Sequence, residues 1–315
     1  MARSNRKRTG FAVALAWPQN YCKQAGAWYD KIMAWLGINK NGYYKVGHAA
    51  LVLVDEVGGC HYFDFGRYSA PFKHGRVRSA HTDHDLILNT KIRKDESGSR
   101  MLNFEELLFE LQQMHACHGE GKLHASYCPI DFQKAYAKAK RMNEKPHIIY
   151  GPFVMHGTNC SRFVRQIIRA GRPPFKYWLR LELPATLTPS PVHNVKCLHD
   201  YRIQPKAFPE SPFDPYSADF VPHTIPAPKR HANIPSQARW LSGEGEGSWF
   251  YIRTCGDQLQ ITRYSPRGDI ECKGLFHSEK PLSSPIESYE LTYPSNCRLI
   301  TLKSGEELLR FERIN

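Results

Sequence analysis

Long apolar runs are absent: nowhere does the sequence approach the ~20 consecutive apolar residues that a bilayer-crossing helix needs. That speaks against a helical membrane-spanning class. Paired cysteines are absent as well. The nine cysteines, at 22, 60, 117, 128, 160, 197, 255, 272 and 297, are scattered, odd in number and never in a CxxC pair. Such spacing makes neither a disulfide framework nor a structural zinc site and fits a reducing compartment. The expectation is therefore a cytoplasmic protein, with secretion lacking a typical signal peptide left open. His115, Cys117 and His118 in MHACHGEG come nearest to a metal cluster. A polar helix end explains them equally well, and no metal or other cofactor is expected. No glycine-rich phosphate loop or dinucleotide fingerprint occurs either. GEGEG (243–247) lacks the strand-then-helix context and reads as a flexible lead-in to the residues beyond it. Negative charge is scarce: 30 Asp and Glu against 43 Lys and Arg leave a net charge of +13 and a pI near 9.3. That balance favours anionic partners such as nucleic acid, anionic lipid or cell-wall polymer. Arg3, Arg6, Lys7 and Arg8 read as a solvated basic tail.

What is present describes a folded chain. Apolar residues make up 41% and charged residues 23%, and 315 residues exceed one ordinary core, so two domains are expected. FAVALAW (11–17) predicts a strand; the basic opening before it resembles a signal peptide, but the run is short and leads straight into Pro18. GAWYDKIMAWLGI (26–38) carries Trp28, Ile32, Trp35 and Leu36 at helical spacing and predicts a helix ending near Gly37. GHAALVLVD and CHYFDFGRY flank EVGG and predict a β-hairpin, and HDLILNTKI (84–92) predicts a further strand. Asn103 and Glu106 give a capping-box-like start to the helix NFEELLFELQQMHA. DFQKAYAKAKRMNEK (131–145) predicts an amphipathic helix and HIIYGPF (147–153) a strand. A helix follows in HGTNCSRFVRQIIRAG (156–171), with Gly171 as its C′ residue and Pro173 and Pro174 beyond it.

From 184 to 237 prolines crowd the sequence, which reads as an extended linker or wrapping arm without regular helix or sheet. SWFYIRT, LQITRYS, IECKGLF, YELTYP, NCRLITLK and ELLRFERI then alternate in strand fashion, predicting a small antiparallel β domain over 238–315.

Cys160 carries the chemistry. With Thr158 or Asn159 as N-cap it falls in the first turn of a helix, where unpaired N–H groups and the helix dipole favour a thiolate and could hold an oxyanion. A cysteine is otherwise a small buried residue, so a base is required. His48 opens the β-like run HAALVLVD after a glycine and is the best candidate. The third member, which holds the imidazole in one tautomer, belongs across the hairpin. If DEVGG (55–59) is the turn, paired residue numbers sum to about 114 and His48 faces the region 64–66. Parity sets Tyr62, Asp64 and Gly66 on one face and His61 on the other. Asp64 is the choice, with His61 the alternative if a bulge shifts the register; a pairing of Asp64 with Arg67 would be purely structural. His156 could border the cleft or replace His48. Asn159 adjoins the nucleophile, Trp17 could wall the site, and Arg67 could bind an anionic substrate group.

GHAALVLVD with a polar residue on the next strand, followed well downstream by NCSRFV opening a helix, resembles the circularly permuted papain-fold cysteine enzymes. That group includes the permuted NlpC-like hydrolases and the lecithin:retinol acyltransferase-like proteins. The resemblance covers 10–180 and implies Cys160 as nucleophile, His48 as base and Asp64 as orienting residue. This sequence departs from the acyltransferase-like branch, which usually has a histidine at the third position. The expectation is an α+β chain: a permuted papain-like domain with an antiparallel sheet and packed helices over 1–183, the proline-rich arm over 184–237, and a small all-β domain over 238–315.

The chemistry implied is acyl transfer to Cys160 and release to water or another acceptor. An amidase or peptidase acting on a peptide, isopeptide or acyl substrate is favoured by fold analogy. Two other readings stay open. A lipid-directed thiol acyltransferase or hydrolase suits an anionic membrane surface, although no apolar anchor is evident. A non-catalytic basic protein binding nucleic acid or glycan is allowed by the interleaved aromatic and basic residues of SWFYIRTCGDQLQITRYS.

Overall fold

The structure, a computed structural model, describes residues 8–314 except 25, 118, 120, 184–188 and 206–212. Arg3, Arg6 and Lys7 of the basic tail and His118 of the MHACHGEG segment lie outside the described residues. The chain begins with strands β1 (Gly10–Trp17) and β2 (Tyr21–Lys23), helix α1 (Asp30–Trp35) and strands β3 (Asn39–Lys40) and β4 (Tyr43–Lys45). Strands β5 (His48–Val54), β6 (Cys60–Gly66) and β7 (His74–Ser79) follow, then α2 (Phe104–Gln113), β8 (Leu123–Ile130), α3 (Phe132–Asn143) and β9 (Ile148–Ile149). Helices α4 (Cys160–Ala170), α5 (Phe175–Glu182) and α6 (Pro191–Lys196) precede β10 (His199–Gln204). The remainder is strand: β11 (Arg239–Ser242), β12 (Gly247–Cys255), β13 (Gln258–Tyr264), β14 (Ile270–His277), β15 (Glu290–Thr292), β16 (Leu299–Ser304) and β17 (Glu307–Arg313). The fold is α+β, with antiparallel sheets, a few helices and a C-terminal all-β part.

Two compact units result, neither continuous in sequence. One comprises 1–65, 86–144 and 151–220; the other comprises 66–85, 145–150 and 221–315.

In the first unit the strand order β10-β8-β1-β5-β6 puts β1 at the centre. Every residue of β1 is buried, because both faces of the strand are covered. Phe11, Val13, Leu15 and Trp17 face a cluster with Phe104, Leu107, Leu108 and Leu111 of α2. Ala12, Ala14 and Ala16 alternate with them, and helices α3 and α6 pack on β1. A doubly covered strand is apolar at nearly every position, which is why the same run resembles a leader h-region. Helix α4 packs on β5 and against α3 and α6, burying Phe163, Val164, Ile167 and Ile168.

Several expectations need correction. The helix over 26–38 shrinks to α1, whose buried residue is Asp30 rather than the apolar set. The Asp30 carboxylate accepts from Tyr44 Oη and from the Ala27 N–H, so the helix is fastened by its polar side. Residues 84–92 form no strand beyond a short 3₁₀ turn. The Glu110 carboxylate accepts from the Asn89 and Thr90 N–H groups, replacing a strand ladder. The strand over 147–153 contracts to β9. Asn103 does precede α2 but bonds Glu106 through its amide and the Arg93 N–H through its oxygen instead of capping the helix backbone. Gly171 has an ordinary negative φ, and Arg172 takes the left-handed conformation instead. A side chain at Gly171 would collide with Ile130 and Ala135. The proline-rich stretch does hold regular structure, in α6 and β10. Pro191 opens α6, where a missing N–H has no partner to lose, and Ser190 caps it.

The second unit is an antiparallel sheet in the order β11-β12-β13-β14-β17-β16-β15 around Phe250, Ile261, Phe276, Ile300, Leu302 and Phe311. Its edge strands β11 and β15 approach one another, so the sheet is curled toward closure. Segment 66–85 joins it through buried ion pairs. Asp83 accepts two bonds of 2.7 Å from Arg76 and one of 2.8 Å from Arg263. Arg78 lies 3.3 Å from Glu246 with its guanidinium over the Tyr68 ring, and Arg67 binds Glu244 at 3.0 Å. GEGEG is therefore no flexible lead-in: both its carboxylates are engaged.

Candidate active site

The hairpin register places the first pair. Val54 faces Cys60 and Ala50 faces Asp64 across β5 and β6, with 55–59 as the turn. His48 and Asp64 consequently lie on the same face, one diagonal step apart. His48 Nε2 is 3.4 Å from Asp64 Oδ2. Asp64 is fully buried and also accepts from Tyr62 Oη at 3.2 Å. On the other side of His48 stands Trp17, its direct neighbour on β1, with ring centroids 6.0 Å apart and planes 25° from parallel. The indole is fixed in turn by a 3.3 Å bond from Nε1 to Gln112 Oε1 of α2.

Cys160 is the first residue of α4. Asn159 is its N-cap: extended backbone, with Oδ1 accepting from the Arg162 N–H at 2.9 Å. The thiol hydrogen-bonds His48, takes a backbone N–H from Ala49 and lies 3.9 Å from Ser161 Oγ. It is 8% exposed. Asn194 of α6 donates to the Ser161 carbonyl at 2.8 Å, bracing this first turn from within the proline-rich stretch.

The electrostatics are those of an ion pair. Burial opposes charge on His48, but the hydrogen bonds to Asp64 and Cys160 outweigh it and raise the imidazole to about 9. Burial likewise raises Cys160, but the bond to His48 and its positive charge bring the thiol below the usual range. Both directions describe a thiolate beside an imidazolium, titrating as a coupled pair.

The other expected residues are placed elsewhere. His61 sits opposite Leu53 and bonds Asp55 at 3.1 Å, at the turn end of the hairpin. His156 is exposed, in a left-handed conformation on the loop before α4. Arg67, expected to meet a substrate anion, belongs to the second unit, where it is buried against Glu244 and over the Tyr150 ring. Its ion-pair partner is Glu244, at 3.0 Å. Gln112, Asn194 and Arg162 went unforeseen. Gln112 had a signal, since it lies one turn beyond Leu108 on the buried face of α2. Among the described residues no group of three or more His, Cys, Asp or Glu converges to hold a metal ion.

A family model for type VI secretion system effectors of the TseH-like kind matches residues 12–173, more than half the chain and all of the site. The chain belongs to the TseH-like effector family. In this TseH-like chain a second model, for the DUF6695 C-terminal domain, matches 238–314. Among solved structures, the crystal structure of the type VI secretion system effector TseH is similar over 62% of this chain and 98% of that one, at 16% identity and a TM-score of 0.39. No curated protein matches the chain. No helix among the described residues is long and apolar enough to cross a membrane.

Asp64→Asn tests the electrostatic reading within this TseH-like site. The amide preserves volume and removes the charge that favours protonated His48. The His48 titration is expected to fall from about 9 by about one to two pH units, read from its ring proton by NMR. An unchanged titration would mean that Asp64 does not act on the ring.

Proposed function

We propose that this effector is a thiol-dependent acyl-transfer enzyme, a cysteine amidase or peptidase of permuted papain-like type. Cys160 is its nucleophile, His48 its base and acid, and Asp64 its orienting residue. The single observation that supports this is the position of His48, bonded to Cys160 and facing Asp64, at the N-terminus of α4. The order of the parts, histidine strand before cysteine helix, is the permuted one.

The steps follow from the groups present. The Cys160 thiolate attacks the amide carbonyl carbon, forming the C–S bond and an oxyanion. Since Asn159 occupies the Arg162 N–H, the N–H groups of Cys160 and Ser161 are those the helix start offers to that oxyanion. With His48 Nε2 turned to Asp64, Nδ1 gives its proton to the leaving amine as the C–N bond breaks. Water then loses a proton to His48 and attacks the thioester, releasing a carboxylic acid and restoring the thiolate. Trp17 stacked on His48 limits ring rotation between the two steps.

The substrate class proposed is a peptide or isopeptide amide, as in cell-wall peptides. Family membership supports a protein that acts where it is delivered by a secretion system, in place of the resident cytoplasmic protein expected from the cysteines. Incubation with soluble peptidoglycan fragments and mass spectrometry of newly freed amines tests the assignment. Cleavage by the wild type, an acid-trapped thioester on Cys160 and no cleavage by Cys160→Ala are expected. Undiminished cleavage by Cys160→Ala would end the thiol reading.

A further inference from the structure

The apolar residues of 26–46 that the sequence marks for a core are turned outward. Trp28 is 79% exposed and Trp35 84%, and Ile32, Leu36, Ile38 and Val46 are each about half exposed or more. The loop before α4 extends this surface. Met155 is 80% exposed, and Phe153 packs its ring edge-on against Tyr29 with centroids 5.4 Å apart. Arg162, in the first turn of α4, donates to the carbonyls of Gly151, Pro152 and Val154. The loop is thereby tied to the helix of Cys160, and Val46 stands two residues before His48. The apolar surface therefore borders both candidate catalytic elements.

Its own segments carry exposed charge of one sign, with Asp214 and Asp219 exposed on the segment that packs against residues 40–43. Lys31, Lys40 and Lys45 are exposed around it. The single acid within 26–48, Asp30, is buried and bonded internally, and 151–162 contains none. A second copy of the same face would bring lysine against lysine. A protein partner would need pockets for two protruding indoles, whereas a fluid interface accepts them without preformed shape. Tryptophan favours the headgroup level of a bilayer, and lysines add attraction to anionic lipid.

We propose that the Trp28–Trp35 surface docks on an anionic lipid bilayer, holding the mouth of the Cys160 site at the membrane. Docking does not depend on the thiol chemistry, so it is measured on Cys160→Ala protein as well as wild type. The experiment is co-sedimentation with phosphatidylcholine vesicles, with and without phosphatidylglycerol. Both proteins are expected to bind the phosphatidylglycerol vesicles at least about tenfold more strongly than neutral ones, and less as salt rises. Trp28→Ser with Trp35→Ser is expected to lose about tenfold or more of that binding with an unchanged melting temperature, since both side chains are exposed. Lys31→Glu with Lys40→Glu is expected to abolish the preference for anionic lipid. Absence of vesicle binding by the wild type would overturn the proposal. Equal binding by the tryptophan variant would do the same, as would a dimer in light scattering that this variant dissolves.

Discussion

Limiting iodoacetamide near neutral pH is expected to label Cys160 ahead of the other eight cysteines. His48→Ala is expected to slow that labelling roughly tenfold or more. Burial drives Cys60, Cys128, Cys197 and Cys297 above the usual thiol range, so little thiolate is present at those sites. Cys255 is exposed and serves as the accessible comparison. Cys197 also has a histidine, His193 at 3.3 Å, yet burial still pushes its thiol up to about 11. At Cys160 the hydrogen bond and charge of His48 are the main opposition to burial, and without that ring the thiol rises. The pH profiles separate two roles. Alkylation of the wild type should begin below the ordinary thiol range near ~8.5 and then stay level, because thiolate persists at higher pH. Amide cleavage also needs protonated His48, so it should decline as the pH passes about 9. In His48→Ala the alkylation onset should move up past the ordinary thiol range. Labelling of Cys160 no faster than that of Cys255 would show a packing residue at the helix start.

Asp83→Ala is expected to destabilise the second unit by about 3–5 kcal/mol, the range for removing one partner from a buried ion pair. Its carboxylate is buried between Arg76 and Arg263, which are themselves buried. The mutation takes the carboxylate from Arg76 and leaves Arg263 with Glu271 alone. Hydrogen exchange of the β13 amides reports this locally, and opening should become roughly a hundredfold or more frequent. The pH dependence has a definite sign. Burial works against the Asp83 charge, but Arg76 and Arg263 hold the carboxyl far below the usual carboxylate range. Its stabilisation is therefore complete above the unfolded value of ~3.9 and is lost only as the pH falls toward the folded one. Protection of β13 that is unchanged in Asp83→Ala would show that the arginines find other partners.

Much of the candidate site's geometry was legible because a hairpin obeys arithmetic. The turn at 55–59 fixes a pairing sum of 114, which Ala50 with Asp64 satisfies, and strand parity separates Asp64 from His61. The helix start at Cys160 followed from Asn159 and the apolar spacing of Phe163, Ile167 and Ile168. Where reading failed, a side chain had replaced a backbone pattern. Glu110 holds 89–90 in place of a strand partner. Asp30 anchors α1, leaving Trp35 and the preceding Trp28 outside although their spacing is that of a buried stripe. Spacing reports which residues share a face and says nothing of whether anything covers it. Proline content misled for a related reason: Pro191 at the first position of α6 starts a helix that prolines elsewhere would break.

Asp83 meets Arg263 across 180 positions of chain. By the time Phe220 leaves the ribosome, every residue of the first unit has been synthesised. Segment 66–85 is made early, but its ion-pair partners Glu244, Glu246 and Arg263 are made last. Closing so long a loop is slow compared with pairing neighbours. The thiol-bearing unit should therefore complete first during translation, with the ion pairs from 66–85 to the C-terminal residues forming last. A chain terminated before Arg263 would carry Cys160, His48 and Asp64 yet leave Asp83 without Arg263 and the C-terminal sheet unfinished, an open target for the proteases that clear unfinished proteins.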